Sequence, residues 1–329
     1  MDRRMFFLGP IAALIALPLP IASGQSNRRP KIGYLLVQPL SEPPSRERQA
    51  FLDGLRELGY VSGATIDIVY ASAQNEPDFV DEVARDLVQK RPDVIVVSGA
   101  IAVLAAKRAT TRIPIVAMAI GDPVGFGAVR SLGRPEGNVT GVSFISSDLA
   151  GKRVQLIAEL LPKATRIAVL WDSRNANARA EAAATLAAIE QLGLTAVPST
   201  LMSDADLGDA LDRIVKARPD ALYVTFEGGT VAGNRTAIAE FGVRHRLPVV
   251  SGWSSLTEAG GLISYAPDIP ALFRRSASYV HRVLKGASPR DLPFEQASTV
   301  ELVINQRTAR ALGIAIPQPL LLRADRMIE

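Results

Sequence analysis

The stretch KRPDVIVVSG, Lys90 to Gly99, returns further down the chain as ARPDALYVTF, Ala217 to Phe226. Each copy sets Arg-Pro-Asp ahead of a short apolar run, and each follows a helix-like segment. Other landmarks repeat in the same order. Lys31-Ile-Gly-Tyr-Leu-Leu resembles Arg166-Ile-Ala-Val-Leu-Trp, Leu58-Gly59 matches Leu192-Gly193, and Ile113-Pro114 matches Leu247-Pro248. The spacing is 135 positions for the first pair (31 to 166), 134 for the next two (58 to 192, 113 to 247) and 127 for Arg-Pro-Asp (91 to 218). Four landmarks in one order at nearly one spacing point to a duplicated unit.

Periodicity gives the content of each copy. Lys31–Val37, Thr65–Tyr70, Val94–Val97 and Ile113–Ile120 read as strands. Phe51, Leu55 and Leu58 mark one helix face, and Val80, Val83, Ala84, Leu87 and Val88 mark another, before a third helix over Ile101–Ala109. The second copy repeats the pattern. Strands are expected at Arg166–Trp171, Leu194–Pro198, Ala221–Phe226 and Pro248–Trp253, with helices at Ala176–Gln191, Ala205–Lys216 and Thr230–His245. Val94–Val97 and Ile115–Ile120 are apolar without alternation, as in strands buried on both faces of a parallel sheet. Each half therefore reads as a doubly wound α/β lobe.

The tail breaks a simple tandem. A helix is expected over Ile269–Leu284, a strand over Val300–Ile304, a short helix over Arg307–Leu312 and a last strand over Leu320–Arg323. Completing both sheets with these elements requires the chain to cross between lobes near Ser143–Asp148, Tyr265–Asp268 and Leu292–Thr299. The expected lobes are residues 31–145 with 268–297, and residues 146–267 with 298–329.

The first residues address compartment. Met1-Asp-Arg-Arg-Met is a basic head, and Phe6 to Ala22 is an apolar run broken by Gly9, Pro10, Pro18 and Pro20. Ala22-Ser23-Gly24 supplies small residues for cleavage before Gln25, so residues 1–24 read as a signal peptide. The breakers and the short run argue against a membrane anchor. Arg3-Arg4-Met5-Phe6-Phe7-Leu8 also suits a twin-arginine signal, which leaves the export route open.

Composition narrows the chemistry. The 329 residues are 48% hydrophobic and 21% charged, values of a globular chain long enough for two domains. A formal charge of +4 is too small to imply nucleic acid. With no cysteine, disulfides, thiolate metal sites, a thiol nucleophile and a lipid anchor on an N-terminal cysteine are excluded. The two histidines, His245 and His281, sit in helical settings typical of surface or capping residues. The sequence carries no Gly-x-Ser-x-Gly elbow, phosphate-cradling loop or His-Glu-x-x-His pair, so no enzyme, metal site or cofactor is expected.

Parallel α/β sheets bind ligands at their strand carboxyl ends, so two lobes enclose a cleft between facing loops. Arg-Pro-Asp then lies at the far end, as turn and cap residues. Candidate contacts in the first lobe are Gln38 and Ser41 after the first strand, Ser98, Gly99 and Ala100 after Val97, and Asp122. The hydroxyl and amides of Ser98 and Gly99 suit a carboxylate or a simple helix cap. Asp122 suits a ligand ammonium or a turn beside Gly and Pro. In the second lobe the strand-end candidates are Asp172, Ser173, Glu227 and Gly228. Trp253 and Tyr265 are aromatics suited to a ligand ring or to packing.

The segments RPDVIVVSG, IPIVAMAIGDPVGFG, GNVTGVS, RPDALYV, LPVVSG, EAGGLISYAPD and INQRTARALGI, in this order and behind a secretory signal, resemble the substrate-binding proteins of ABC transporters. The nearest group includes tryptophan/tyrosine-type solute receptors, and the likeness covers Lys31 to Leu322. It implies a type I periplasmic-binding-protein fold of two lobes with a three-segment hinge. It also implies a small organic solute, an amino acid or aromatic carboxylate being favoured, and docking of the closed form on an ABC permease. A monomer in the periplasm is expected. A periplasmic sensor that signals to a membrane receptor would need the same cleft. Sugar-responsive repressors share such lobes but carry a DNA-binding segment where this chain has an export signal.

Overall fold

The computed structural model describes residues 28–144, 146–225, 230–297 and 299–329; the expected signal peptide lies outside them. Two sheets form. The first holds β1 (Lys31–Leu36), β2 (Asp67–Ser72), β3 (Val94–Val97), β4 (Ile115–Gly121), β5 (Val139–Phe144) and the short β11 (Glu295–Gln296), in the order β11-β5-β4-β3-β1-β2. All its pairings are parallel. The second holds β6 (Arg166–Asp172), β7 (Thr195–Leu201), β8 (Ala221–Val224), β9 (Val249–Ser251), β10 (Ile263–Pro267), β12 (Val300–Asn305) and β13 (Arg326–Ile328), in the order β13-β12-β10-β9-β8-β6-β7. Here only β10–β12 is antiparallel.

The two windings are the same. Reading inward from one edge gives β2-β1-β3-β4-β5 in one sheet and β7-β6-β8-β9-β10 in the other. The repeated landmarks thus mark a repeated topology. Each sheet is packed on both faces. In the first lobe α1 (Arg46–Glu57) and α10 (Ile269–Leu284) cover one face, α2 (Val80–Gln89) and α3 (Ala100–Ala109) the other. In the second, α4 (Ala150–Leu160), α5 (Ala176–Gln191) and α11 (Gln306–Leu312) cover one face. Helices α6 (Leu207–Ala217), α8 (Arg235–Arg244) and α9 (Ser254–Glu258) cover the other, with α7 (Thr230–Gly233) adding Val231 to the same cluster. Every residue of β3 and β4 is buried, which accounts for their unbroken apolar runs.

The chain passes between lobes three times. It leaves β5 for α4, whose Val154, Leu156, Ile157 and Leu160 pack in the second lobe. It returns from β10 to α10, which Asp268 caps through the N–H of Ala271 at 3.1 Å. It crosses again between β11 and β12. These are the three expected crossings.

Several elements differ from expectation. Leu320–Arg323 is not a strand; it belongs to α12 (Gln318–Arg323), and the final strand is β13. Proline in the first turn starts the helix, and only one face is apolar: Leu320 is 1% exposed and Leu322 77%. The helix expected over Thr230–His245 is divided at Asn234 into α7 and α8. Strand β5 and helix α4 were not anticipated. In β5, Gly141 has φ 150° and a Cβ there would lie 2.0 Å from the Ala117 carbonyl oxygen. This backbone approach beside the β4 irregularity requires glycine and interrupts the apolar run.

Arg-Pro-Asp plays one part twice, at the amino ends of the sheets. Arg91 and Arg218 both adopt left-handed backbone, with φ of 50° and 51°. Asp93 Oδ2 accepts the Lys31 N–H at 2.7 Å, and Asp220 Oδ2 accepts those of Thr165 and Arg166 at 2.7 and 2.9 Å. In each lobe the aspartate clamps the start of the first strand, β1 or β6. Partial burial opposes the Asp220 charge, but its donors outweigh that and hold its pKa below the ordinary value. Its stabilisation is therefore complete above the unfolded-state pKa and is lost as pH falls through the folded one. Asp220→Ala should cost about 1 kcal/mol at neutral pH. In urea unfolding followed by circular dichroism, the difference from the parent should shrink toward zero on acidification.

Candidate binding cleft

Carboxyl-end loops of one lobe meet the other. Gly121, closing β4, lies so near the first turn of α5 that a Cβ would sit 2.8 Å from Asn177 Nδ2. Arg46, opening α1, pairs with Glu258, closing α9. Phe144, closing β5, stacks edge-on with Trp253 at 5.9 Å between ring centroids. Gln38, Ser41, Ser98, Gly99, Ala100 and Asp122 follow strands of the first lobe, and Asp172, Ser173 and Trp253 end or follow strands of the second.

On the first lobe, β1 and β3 are neighbours at the point where the winding reverses, and their loops carry Gln38, Ser41, Ser98, Gly99 and Ala100. Ser98, Gly99 and Ala100 are half-buried, whereas Gln38 and Ser41 are exposed on the rim. The rim loop is pinned: the Gln38 carbonyl accepts from Ser72 Oγ at 2.7 Å, and the Ser41 carbonyl accepts from the buried Arg48. Gly99 is the N-cap of α3, with φ 82°, and gives no side-chain cap; the first turn holds no acidic residue. By contrast, Asn175 caps α5 by accepting the N–H groups of Asn177 and Ala178 at 2.9 and 3.2 Å. The α3 terminus thus keeps its N–H groups and its partial positive charge for something else.

Asp122 folds back on its own turn. Its Oδ1 accepts the Gly125 N–H at 2.9 Å, and its Oδ2 occupies space that any Cβ at Gly125 would need. The turn role open to this residue is therefore observed.

On the second lobe, Asp172 is buried and accepts Arg174 N at 2.9 Å, Nε at 3.1 Å and, on its other oxygen, Nη2 at 2.9 Å. Burial pushes its pKa up, but Arg174 and the Thr230 backbone outweigh this and hold it low. Asp172 thus orients Arg174, which also donates to Thr230 Oγ1 at 2.7 Å. The Ser173 hydroxyl donates to the Leu201 carbonyl at 3.0 Å, tying β6 to the end of β7. Glu227 and Gly228 lie outside the described residues. Trp253 packs against the first lobe's core, whereas Tyr265 packs into the second lobe's core.

Beneath the second surface lies a buried ionic network absent from the sequence reading. Arg153 and Glu181 have fully buried side chains, with Arg153 Nη1 3.0 Å from Glu181 Oε1. Arg153 Nη1 also donates to the Ser146 carbonyl at 2.9 Å, and Nε to the Tyr265 carbonyl at 2.6 Å. Tyr223 Oη and Ser146 Oγ donate to Glu181 at 2.6 and 2.7 Å. Burial pushes the Tyr223 phenol far up, so it stays a donor. A Cβ at Gly252 would lie 2.8 Å from both Arg153 Cζ and Glu181 Oε1. Arg153 and Arg174 were overlooked because neither ends an apolar run at the position that singled out the other candidates. Arg153 follows a chain crossing, and Arg174 stands two residues past the strand end.

Two concavities are present among the described residues. One, of about 360 Å³, is walled by α8 and Ala259–Gly260; the other, of about 230 Å³, lies among the crossings beside Leu149, Pro267 and Ala297. Among the described residues no His, Asp and Glu cluster is placed to hold a metal ion, and no helix is long and apolar enough to cross a membrane.

Two α/β lobes of common winding, joined by three crossings and facing each other at their strand ends, define a binding protein with an interlobe cleft. The chain belongs to the family described as ABC transporter substrate binding protein, whose model matches residues 36–328. A tyrosine-binding protein of Clostridioides difficile (strain R20291) is 27% identical over 292 residues, covering 88% of this chain and 82% of its own. The solved ABC domain in complex with L-Trp from Streptococcus pneumonia is 29% identical, with a TM-score of 0.81, covering 90% of this chain and 100% of that one. The ligand-free, open structure of CD0873 from Clostridium difficile, a substrate binding protein with adhesive properties, is 25% identical. Its TM-score is 0.67, with 91% of this chain and 99% of that one covered.

Removing one member of a buried ion pair leaves the other charge uncompensated. Arg153→Met should therefore cost about 3–5 kcal/mol in denaturant unfolding, and Arg153→Met with Glu181→Leu markedly less than that.

Proposed function

We propose that the protein is the extracytoplasmic solute receptor of an ABC importer, and that it carries an aromatic amino acid in the interlobe cleft to a membrane permease. The observation that carries this reading is the uncapped α3 terminus at the cleft. Its free N–H groups suit the solute carboxylate, with Ser98, Gly99 and Ala100 around it. The relatives that bind tyrosine and L-Trp support an aromatic amino acid. Trp253, on the opposite surface, is suited to the ring. The solute ammonium would fall to Asp122, whose second oxygen is not used by the Gly125 N–H, or to a group of the second lobe.

Closure brings the two surfaces together and removes the solute from water, which strengthens polar contacts inside. The lobes, residues 31–145 with 268–297 and 146–267 with 298–329, turn as bodies about the crossings. The fit is better to the L-Trp complex than to the open relative, 0.81 against 0.67, which supports reading this arrangement as the closed one. Export by the 1–24 signal peptide places the receptor in the periplasm, as a monomer whose closed form the permease reads. Nothing in this cycle alters the solute.

The test is a thermal-shift and calorimetric screen of the mature chain against amino acids, aromatic acids and sugars. L-Trp or L-Tyr should bind near micromolar affinity, equivalent to about −8 kcal/mol. Ala100→Asp is the discriminating variant. A carboxylate in the first turn favours the helix but repels a bound carboxylate. Its unliganded melting temperature should hold or rise while affinity falls at least about tenfold, near 1.4 kcal/mol. Unchanged affinity would remove the carboxylate from α3.

A further inference from the structure

The contact between Arg46 and Glu258 has an unusual basis. Arg46 is the first residue of α1, immediately after the capping Ser45, and Glu258 is the last residue of α9. A cation at a helix amino end and an anion at a carboxyl end each oppose the local dipole. Neither charge serves its own helix. Across the cleft they serve each other: Arg46 Nη1 donates to Glu258 Oε1. The same oxygen accepts Arg326 Nη2 at 2.7 Å, and Arg326 also lies 3.6 Å from Glu301 Oε1. Glu301 is in β12, just past the third crossing, with a side chain only 19% exposed. An ionic chain therefore runs from the first lobe to the hinge side of the second, and Arg46 supplies its only link across the cleft among these four residues.

We propose that Arg46 and Glu258 form an interlobe latch that sets solute affinity by stabilising the closed cleft, with Arg326 holding the Glu258 carboxylate in place. The proposal rests on the closing-cleft reading above, but not on the identity of the solute. These are positioning residues. They act on the balance between open and closed forms, and an apparent affinity scales with the fraction of binding-competent protein. Arg46 has a side chain 56% exposed, so the pair is screened by salt and its effect is modest. Opening separates the two charges. Arg326 stays with Glu258, because both belong to the second lobe, so the carboxylate remains preset for recapture.

The absence of cysteine allows a clean measurement. Spin labels at Arg112→Cys and Lys216→Cys, one in each lobe and both exposed, report the interlobe distance distribution in the mature chain. It is recorded without solute and with L-Trp, at 50 and 500 mM NaCl. Arg46→Gln should enlarge the open share, and high salt should do the same to the parent but not to the variant. L-Trp or L-Tyr affinity should fall about 1.5- to 5-fold in Arg46→Gln, the range for exposed pairs. In a Glu258→Gln background the same substitution should do nothing further, a non-additivity that a purely local role would not produce. Identical distance distributions and salt responses in parent and Arg46→Gln would overturn the latch. The label measurement needs no bound solute, so failure of both amino acids to bind counts against the proposed solute alone.

Discussion

The second lobe is organised around a cation with no access to water. Arg153 reaches the carbonyl of Ser146 on the first crossing and that of Tyr265 in β10, shortly before the second. It meets Glu181 from α5 and approaches Tyr223 Oη from β8 at 3.2 Å. Desolvating a guanidinium is costly, and here Nε and Nη1 find acceptors while the buried Nη2 has none. Glu181 supplies the opposite charge, and Tyr223 and Ser146 fill that carboxylate's remaining acceptor positions. Moving any one of these segments would strand a charge in the interior. The first crossing, the approach to the second and the start of the Trp253 segment are therefore held in one frame, and Gly252 has no side chain because the guanidinium lies against it.

Around this frame, duplication has left two lobes alike in winding and unlike in their cleft ends. The shared part is at the amino ends, where Asp93 and Asp220 make matching clamps on β1 and β6. The divergent part faces the cleft. Helix α5 is capped by its own Asn175 and orders a loop in which Asp172 binds Arg174. Helix α3 opens on Gly99 and leaves its terminal N–H groups uncapped. A lobe whose strand-end charges are paired and a lobe with an uncapped helix terminus present different chemistry to one guest. This fits a solute with a carboxylate at one end and a ring at the other.

Local signals account for what was legible in the sequence. The unbroken apolar runs of β3 and β4 marked strands buried on both faces, and the bounds of α5 and α10 fell where Asn175 and Asp268 cap them. Arg-Pro-Asp reads as turn and cap residues at the far end of each sheet because it precedes the strand whose other end faces the cleft, and the left-handed backbone of Arg91 and Arg218 fits that place. Illegible features depended on distant partners. Strand β5 is interrupted by a glycine that the β4 backbone requires, so its run is too broken to stand out. The Leu320–Leu322 run looks strand-like until proline at the helix start is weighed against it. Asp122 reads in sequence as either contact or turn, and only its hydrogen bond from the Gly125 N–H reveals the turn. Arg153 and Glu181 lie 28 positions apart in helices that meet only in three dimensions, and a charged residue in a helix ordinarily reads as surface.

The same limit explains the contact across the cleft. Arg46 and Glu258 each look like an ordinary exposed charge, and within their own helices each is unfavourably placed. Only the meeting of the lobes turns two local disadvantages into one attraction. The arrangement is strong enough to bias closure and weak enough to release it. A buried pair like Arg153–Glu181 at that place would resist opening, because each opening would expose or strand a charge. An exposed pair, screened by salt and already hydrated, adds a small increment that a bound solute must complete. The fully buried pair thus lies inside one lobe, and the partly exposed pair lies between the lobes.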